Sequence, residues 1–248
     1  MPQQKQLKIL LIGDGCTDEY VYGTCERLNP EAPVPILKFK RKETTQGMAW
    51  NVRENLMSFG MEVFILTNKE SITKTRYIDE KSNQHILRVD TEGVCDPMDY
   101  ELPEDEYDAL VISDYDKGFL TSKKIQELVD WFDGPVFIDS KKTKLPKKDC
   151  YLKINEIESK LLKGYKNLIV TKGAGGADYN KVNYPGEKTK IVDVVGAGDT
   201  FLSALVYFYL LYDKIENAIP YANKAAAIAV QNFGTYVLKE EDVKNLCD

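Results

Sequence analysis

The most concentrated chemistry in this chain lies in Ile191-Val-Asp-Val-Val-Gly196-Ala-Gly198-Asp199-Thr200, which opens directly into the apolar run beginning at Phe201. Gly196, Ala197 and Gly198 just ahead of a helix let successive backbone amides face one concavity. There the unpaired N–H groups and the positive end of the helix dipole attract phosphate oxygens. Asp199 is out of place in a plain phosphate cradle, because a carboxylate repels an anion beside it. It fits if it takes the proton of an attacking hydroxyl as that hydroxyl meets a γ-phosphate in line. A plainer reading, in which Asp199 or Thr200 only caps the helix, stays open on spacing alone.

Other phosphate-binding patterns do not fit. A dinucleotide fingerprint needs a third glycine at position 201, which is Phe201, and normally sits early in its fold. A Walker loop needs Gly-Lys-Ser/Thr, absent here and from Lys172-Gly-Ala-Gly-Gly-Ala177. The five cysteines (Cys16, Cys25, Cys95, Cys150, Cys247) are odd in number, widely spaced and without a C-x-x-C pair. That argues against a disulfide framework or zinc ribbon and for buried thiols in a reducing compartment.

The elements that must position these residues follow a rhythm of short β-branched runs and longer segments of helical period. In order they are Leu7–Gly13, Met48–Gly60, Val63–Thr67, Ala109–Ser113, Ser122–Phe132, Val136–Asp139, Glu156–Lys163, Leu168–Thr171, Thr200–Tyr212 and Glu216–Asn232. This predicts an α/β fold with a central, mostly parallel sheet flanked by helices. Tyr20–Lys40, punctuated by Pro30, Pro33 and Pro35, and Thr73–Val89 break the rhythm with alternating patterns. They read as a small antiparallel sheet, a β lid inserted from two places, at about 19–41 and 72–91. Such a flap can close over a ligand and present an edge for dimerisation.

At 248 residues the chain suits a single domain over 1–248. With 43% hydrophobic and 29% charged residues it reads as an ordinary folded protein. A formal net charge of −6 argues against nucleic acid or an anionic membrane as partner. The first residues lack a small-residue cleavage site, and Phe201–Tyr212 is shorter than the roughly 20 residues a membrane span needs. A cytoplasmic location is the expectation.

Asp-Val-Val-Gly-Ala-Gly-Asp-Thr closely resembles the carboxy-terminal signature of the ribokinase-like PfkB carbohydrate kinases, and Gln46-Gly47-Met48-Ala49-Trp50-Asn51-Val52 resembles their amino-terminal one. Within that family the chain looks most like the heptose 7-phosphate kinase domain of bacterial ADP-heptose biosynthesis proteins. The stretches concerned are Gly13-Asp14 through Asp18, Arg27–Pro35, Thr73–Arg76, Leu87–Asp90, Ser113-Asp114-Tyr115 with Lys117-Gly118, Asp139 with Lys141, and Asn155 with Glu158. Arg27–Pro35 is the most specific of them.

The resemblance implies an ATP- and Mg²⁺-dependent kinase acting on a sugar or sugar phosphate. Asp199 would be the base, and Gly196, Ala197 and Gly198 the anion hole. Asp18, Gly47 and Asn51 would hold sugar hydroxyls with Asp14 close by, although Asp14 and Asp18 also suit a turn after the first strand. Asn155 and Glu158 match an N-x-x-E motif that holds Mg²⁺ through water, Glu158 being otherwise a surface residue. Thr171, Lys172 and Gly173 with Gly175 or Gly176 would contact the nucleotide, and Asn223 would close the adenine pocket. Arg76, Arg88, Lys117 and Lys141 become candidates for a phosphate already on the sugar, converging on one pocket, though each alone reads as a solvated charge.

Departures narrow the expectation. Met48 stands where the family has a second glycine, which puts sugar specificity in doubt. Val194 and Val195 replace threonines common in relatives and weaken the case for the monovalent cation that some members bind. After Asn68 the chain enters the flap almost at once, whereas relatives insert a further helix and strand. One side of the sheet is therefore expected to need cover from a partner subunit or a rearranged neighbour, and a homodimer through the lid is anticipated. His85 is the only histidine, so no H-x-G-H nucleotidyltransferase motif is present and the kinase step alone is expected. Two rivals remain: a non-catalytic nucleotide or sugar sensor on the same fold, which would not need the base, and a nucleoside-type kinase, against which Arg27–Pro35 speaks.

Overall fold

The computed structural model describes residues 6–147, 150–162 and 164–247. Its main sheet joins β1 (Lys8–Gly13), β4 (Glu62–Thr67), β7 (Ala109–Asp114), β8 (Val136–Ser140), β9 (Tyr151–Asn155), β10 (Leu168–Thr171), β11 (Ala177–Tyr179) and β12 (Val182–Tyr184). The spatial order is β12-β11-β10-β9-β8-β7-β1-β4. Pairing is parallel from β4 to β10 and antiparallel at the β10–β11 and β11–β12 steps. The central strands read as unbroken apolar runs because both faces are covered; Ile9 to Ile12 are fully buried.

One face packs against α1 (Ala49–Ser58), α4 (Ala197–Tyr212), α5 (Ile215–Ala229) and α6 (Glu240–Cys247). The other is covered by α2 (Ser122–Trp131) and by the irregular chain over 92–108. That irregular stretch answers the expectation of an exposed sheet face. Cys95 and Met98 are buried against Leu10, Ile12, Leu110 and Ile112, and the Tyr100 hydroxyl donates to the Thr67 carbonyl at 3.1 Å. The cover comes from a neighbour within the chain. α3 (Glu156–Ser159) is shorter than the expected Glu156–Lys163 helix, whose last residue lies outside the described residues.

The lid consists of β2 (Gly15–Leu28), β3 (Pro35–Met48), β5 (Thr73–Asp79) and β6 (Gln84–Thr91), in the order β3-β2-β5-β6. It starts earlier and ends later around the first hairpin than the sequence suggests. It is also not wholly antiparallel, because β2 and β5 run parallel. Both leave the carboxyl ends of parallel neighbours, β1 and β4, so they inherit a common direction. The inner face turns Tyr20, Tyr22 and Ile78 onto Phe233, and Tyr20 accepts the Thr235 amide at 3.2 Å.

Two residues at the end of β1 tie it to β7. Gly13 pairs with Ser113, and a side chain at 13 would overlap the Ser113 carbonyl oxygen. Asp14 is fully buried, and its Oδ2 accepts the amides of Tyr115 (2.6 Å) and Lys117 (3.4 Å). Burial, aided by the neighbouring Asp114, lifts its pKa to about 6.

Gly13→Ala is therefore expected to cost about 1–3 kcal/mol by overpacking, read as a melting-point drop of roughly 3–10 °C. Asp14 gives a pH signature. An acid whose folded pKa lies above its unfolded value of about 3.9 favours the fold when neutral. That contribution is whole below about pH 4 and is lost as pH rises to about 6. Urea unfolding across pH should thus show wild type losing about 2–3 kcal/mol relative to Asp14→Asn between pH 4 and 7; a flat difference would refute it.

Candidate active site

The carboxyl ends of the central strands, the amino terminus of α4 and the root of the lid meet at Asp199, where open α/β sheets place their ligands. Gly196, with φ +77°, is the N-cap of α4 and makes no side-chain cap. Its left-handed backbone suits glycine, and it turns the chain so that the helix begins at Ala197. Neither Asp199 nor Thr200 caps the helix, which removes the plainer reading of the motif. Thr200 instead donates back to the Gly196 carbonyl at 3.2 Å.

The Asp199 carboxylate is held by two donors: Asn51 Nδ2 to Oδ2 at 2.9 Å and the Tyr115 hydroxyl to Oδ1 at 2.7 Å. Burial raises its pKa above the usual carboxylate range, opposed by those two hydrogen bonds and by the charge of Lys153. The result is a proton acceptor stronger than an exposed aspartate, set in the first turn of α4 just after the glycine turn.

Sequence reasoning gave no role to Lys153 or Tyr115. Lys153 on β9 is buried and pairs with Asp139 of β8 at 2.5 Å. Its Nζ packs against the glycine turn, 2.8 Å from where a side chain at 198 would begin. It places a cation beside the expected phosphate position. A lysine flanked by apolar neighbours inside the strand Tyr-Leu-Lys-Ile-Asn was the available signal.

The residues expected to hold the sugar divide. Asp18 and Arg76 form a buried ion pair at 2.5 Å, with Gly47 packed against the Asp18 carboxylate. Asn51 is at the base, as above. Asp14, expected beside the sugar, is wholly buried and acts on the backbone of 115–117 instead. The basic residues do not converge as free cations. Arg88, more than half exposed, pairs with Asp90 at 2.8 Å, Lys117 with Glu92 at 2.5 Å and Lys141 with Glu158 at 2.6 Å. Lys74, on the lid, stands 5.5 Å from the Tyr115 ring and has no ion-pair partner among the described residues. Arg27–Pro35 forms the exposed end of the β2–β3 hairpin, roughly 30 Å along the strand from Asp18 at 3.3 Å per residue. Met48 keeps the glycine-like backbone of its position, at φ +56° and ψ −129°, with its side chain buried.

Of the residues expected at the nucleotide, Thr171, Gly173 and Asn223 line a largely apolar cavity of about 410 Å³ together with Ala197, Gly198 and Phe201 among others. Asn223 donates to the carbonyls of Tyr184 (2.9 Å) and Pro185 (3.2 Å), tying α5 to the cavity wall. Lys172, paired with Asp178, and Gly175 belong to the turn beside it. Asn155 caps α3 by accepting the amides of Ile157 and Glu158, each at 2.9 Å, and Glu158 Oε2 accepts the Asn155 amide at 2.9 Å. None of the five cysteines forms a disulfide. No helix of the described residues is long and apolar enough to cross a membrane.

Comparison with known proteins bears on the family and the fold. Residues 145–242 match the family described as pfkB family carbohydrate kinase. The chain is 30% identical over 301 aligned positions to the bifunctional protein HldE of a Nitratiruptor species, covering 96% of this chain and 64% of that one. It is 30% identical to bifunctional HldE of Helicobacter acinonychis, covering 95% and 65%. It thus spans slightly less than two thirds of the length of these curated relatives. Among solved structures, ribokinase from Thermotoga maritima superposes with a TM-score of 0.74 at 18% identity, covering 97% of this chain and 99% of that one. Arabidopsis thaliana ribokinase complexed with ribose and ATP gives 0.70 at 15%, covering 97% and 98%. Phosphofructokinase-2 from Escherichia coli in complex with potassium gives 0.71 at 15%, covering 97% of each. The fold is ribokinase-like, and residues 145–242 carry a match to the PfkB family of carbohydrate kinases.

Proposed function

We propose that this chain is a kinase that moves the γ-phosphoryl group of ATP onto a hydroxyl of a phosphorylated heptose, with Asp199 as general base. The observation that carries this reading is the position of Asp199. A buried carboxylate, fixed at both oxygens, sits in the first turn of α4 directly after Ala197 and Gly198, which line a nucleotide-sized cavity. A sensor has no use for a base held in this way. The choice of a heptose phosphate rests on the 30% identity to bifunctional HldE proteins.

In this mechanism the cavity beside Asn223 takes the adenosine, and the amides of Gly196, Ala197 and Gly198 face the γ-phosphate. Lys153, 2.8 Å from the space at Gly198, offsets the charge that builds as the phosphoryl transfers. Asp199 removes the proton of the acceptor hydroxyl, and Asp18 with Asn51 orients the sugar. Mg²⁺, when bound, would supply further charge neutralisation. Glu158 and Asn155 suit it through water rather than directly. Lys141 and the Asn155 amide already engage the Glu158 oxygens, and no cluster of three acidic, histidine or cysteine residues fit to hold a metal occurs among the described residues. A monovalent cation is not required by this scheme. Five cysteines without a disulfide suit a reducing, cytoplasmic setting.

The same reading includes a homodimer through the lid. Register places Val21 and Tyr77 on the outer lid face with Phe39, Leu87 and Val89, of which Phe39 is 62% and Leu87 57% exposed. Exposed apolar groups on one face of a small sheet favour a second copy.

ADP release should be measured over a panel of hexoses, heptoses, nucleosides and the sugar phosphates. A phosphorylated heptose should give the highest kcat/KM, and Asp199→Asn should lower kcat by about 10²–10⁴ with little change in KM for ATP. Ligand-induced thermal shifts without turnover would favour the sensor, and preference for a nucleoside would overturn the heptose assignment. Sedimentation of Phe39→Glu should show monomer where the wild type sediments as dimer; an unchanged dimer would move the interface elsewhere.

A further inference from the structure

The base is not left to orient itself. Asp199 accepts Asn51 Nδ2 on one oxygen and the Tyr115 phenol on the other. Tyr115 comes from the loop after β7, and its place is determined several times over. Its amide donates to Asp14 Oδ2 at 2.6 Å, and the Asp14 amide in turn donates to the Ser113 carbonyl at 3.0 Å. Its ring has the ammonium of Lys74 at 5.5 Å and that of Lys141 at 5.7 Å. The neighbouring Asp114 is held by Lys142 at 2.9 Å and by Ser140.

We propose that Tyr115 is a positioning residue for Asp199: its hydroxyl, anchored through its own amide by Asp14, orients the carboxylate so that a free lone pair meets the acceptor hydroxyl. This rests on the reading of Asp199 as general base and adds a residue to it. A phenol has a single proton to give. Burial and the charges of Asp199 and Asp139 push the Tyr115 phenol well above its usual range, so it stays protonated and donates across any working pH. Its hydrogen bond stabilises the ionised form of Asp199 against the burial that opposes it.

The other groups facing Asp199 are Lys153 from β9, Asp139 from β8, Lys141 after β8, and Cys16 from β2. The Cys16 thiol, pushed up to about 12 by burial, is neutral at working pH. Tyr115→Phe leaves all of them in place while deleting the donor. Losing a hydrogen bond to a charged group makes Asp199 easier to protonate, so the rate should begin to fall at higher pH than in wild type.

The test is the pH profile of kcat/KM on the best acceptor found for the intact chain. Tyr115→Phe should move the acidic limb up by about one pH unit and lower kcat about tenfold, with KM for ATP unchanged. Asp14→Ala, which frees the Tyr115 amide but keeps the phenol, should move the limb the same way by less. Carboxyl ¹³C NMR of Asp199 in wild type and Tyr115→Phe reads the same shift without turnover. An unmoved limb and unmoved carboxyl titration would overturn the proposal, as would a higher kcat with lower sugar KM, which would make the phenol a mere obstruction. Asp199→Asn run alongside separates the two levels. If it is inactive while the Tyr115→Phe limb stays put, only the positioning role fails; if it is fully active, the base itself is wrong.

Discussion

The proposed mechanism turns on a carboxylate kept out of water at the spot where an anion must also approach. Either negative charge alone is accommodated readily by a helix amino terminus; together they repel. The protein answers with geometry: two neutral donors take the oxygens of Asp199, and a buried ammonium, Lys153, stands by the glycine turn. Lys153 is itself offset by Asp139, so the burial of one charge draws in a chain of others. That chain spans β8, β9, α1, α4 and the loop after β7, which explains why the site needs the whole carboxyl edge of the sheet.

How far this could be read from the residues depended on locality. The glycine turn, its helix and the base are contiguous, so a string of a few residues carried them. The parallel sheet was legible because strands covered on both faces lose their polar alternation. Tyr115 and Lys153 were opaque for the opposite reason: each acts on a residue distant in sequence, and nothing in Ser-Asp-Tyr or Leu-Lys-Ile names its partner. Arg88, Lys117 and Lys141 read as candidates for a phosphate or as solvated charges, yet each has a nearby carboxylate that spacing does not reveal. The parallel β2–β5 step was hidden because hairpins are the default expectation for short neighbouring strands, while direction here is inherited from β1 and β4.

The shortened passage after Asn68 has a local remedy. An irregular segment supplies Cys95, Met98 and Tyr100 to that side of the sheet, burying apolar surface without regular structure. Its backbone groups are satisfied piecemeal, as when Cys95 and Met98 donate to the carbonyls of Lys117 and Phe119. One of those carbonyls belongs to the loop that carries Tyr115, so this irregular cover is bonded into the site it borders.

Met48 joins two of these themes. β3 ends there in a backbone conformation costly for a side chain, α1 begins at the next residue, and Asn51 follows within the first turn. The lid and the amide that grips Asp199 are thus two ends of one lever, whose fulcrum is a single stiff residue. Under the proposed mechanism, a tilt of the flap would reach the carboxylate through this short connection, coupling enclosure of the acceptor to the aim of the base.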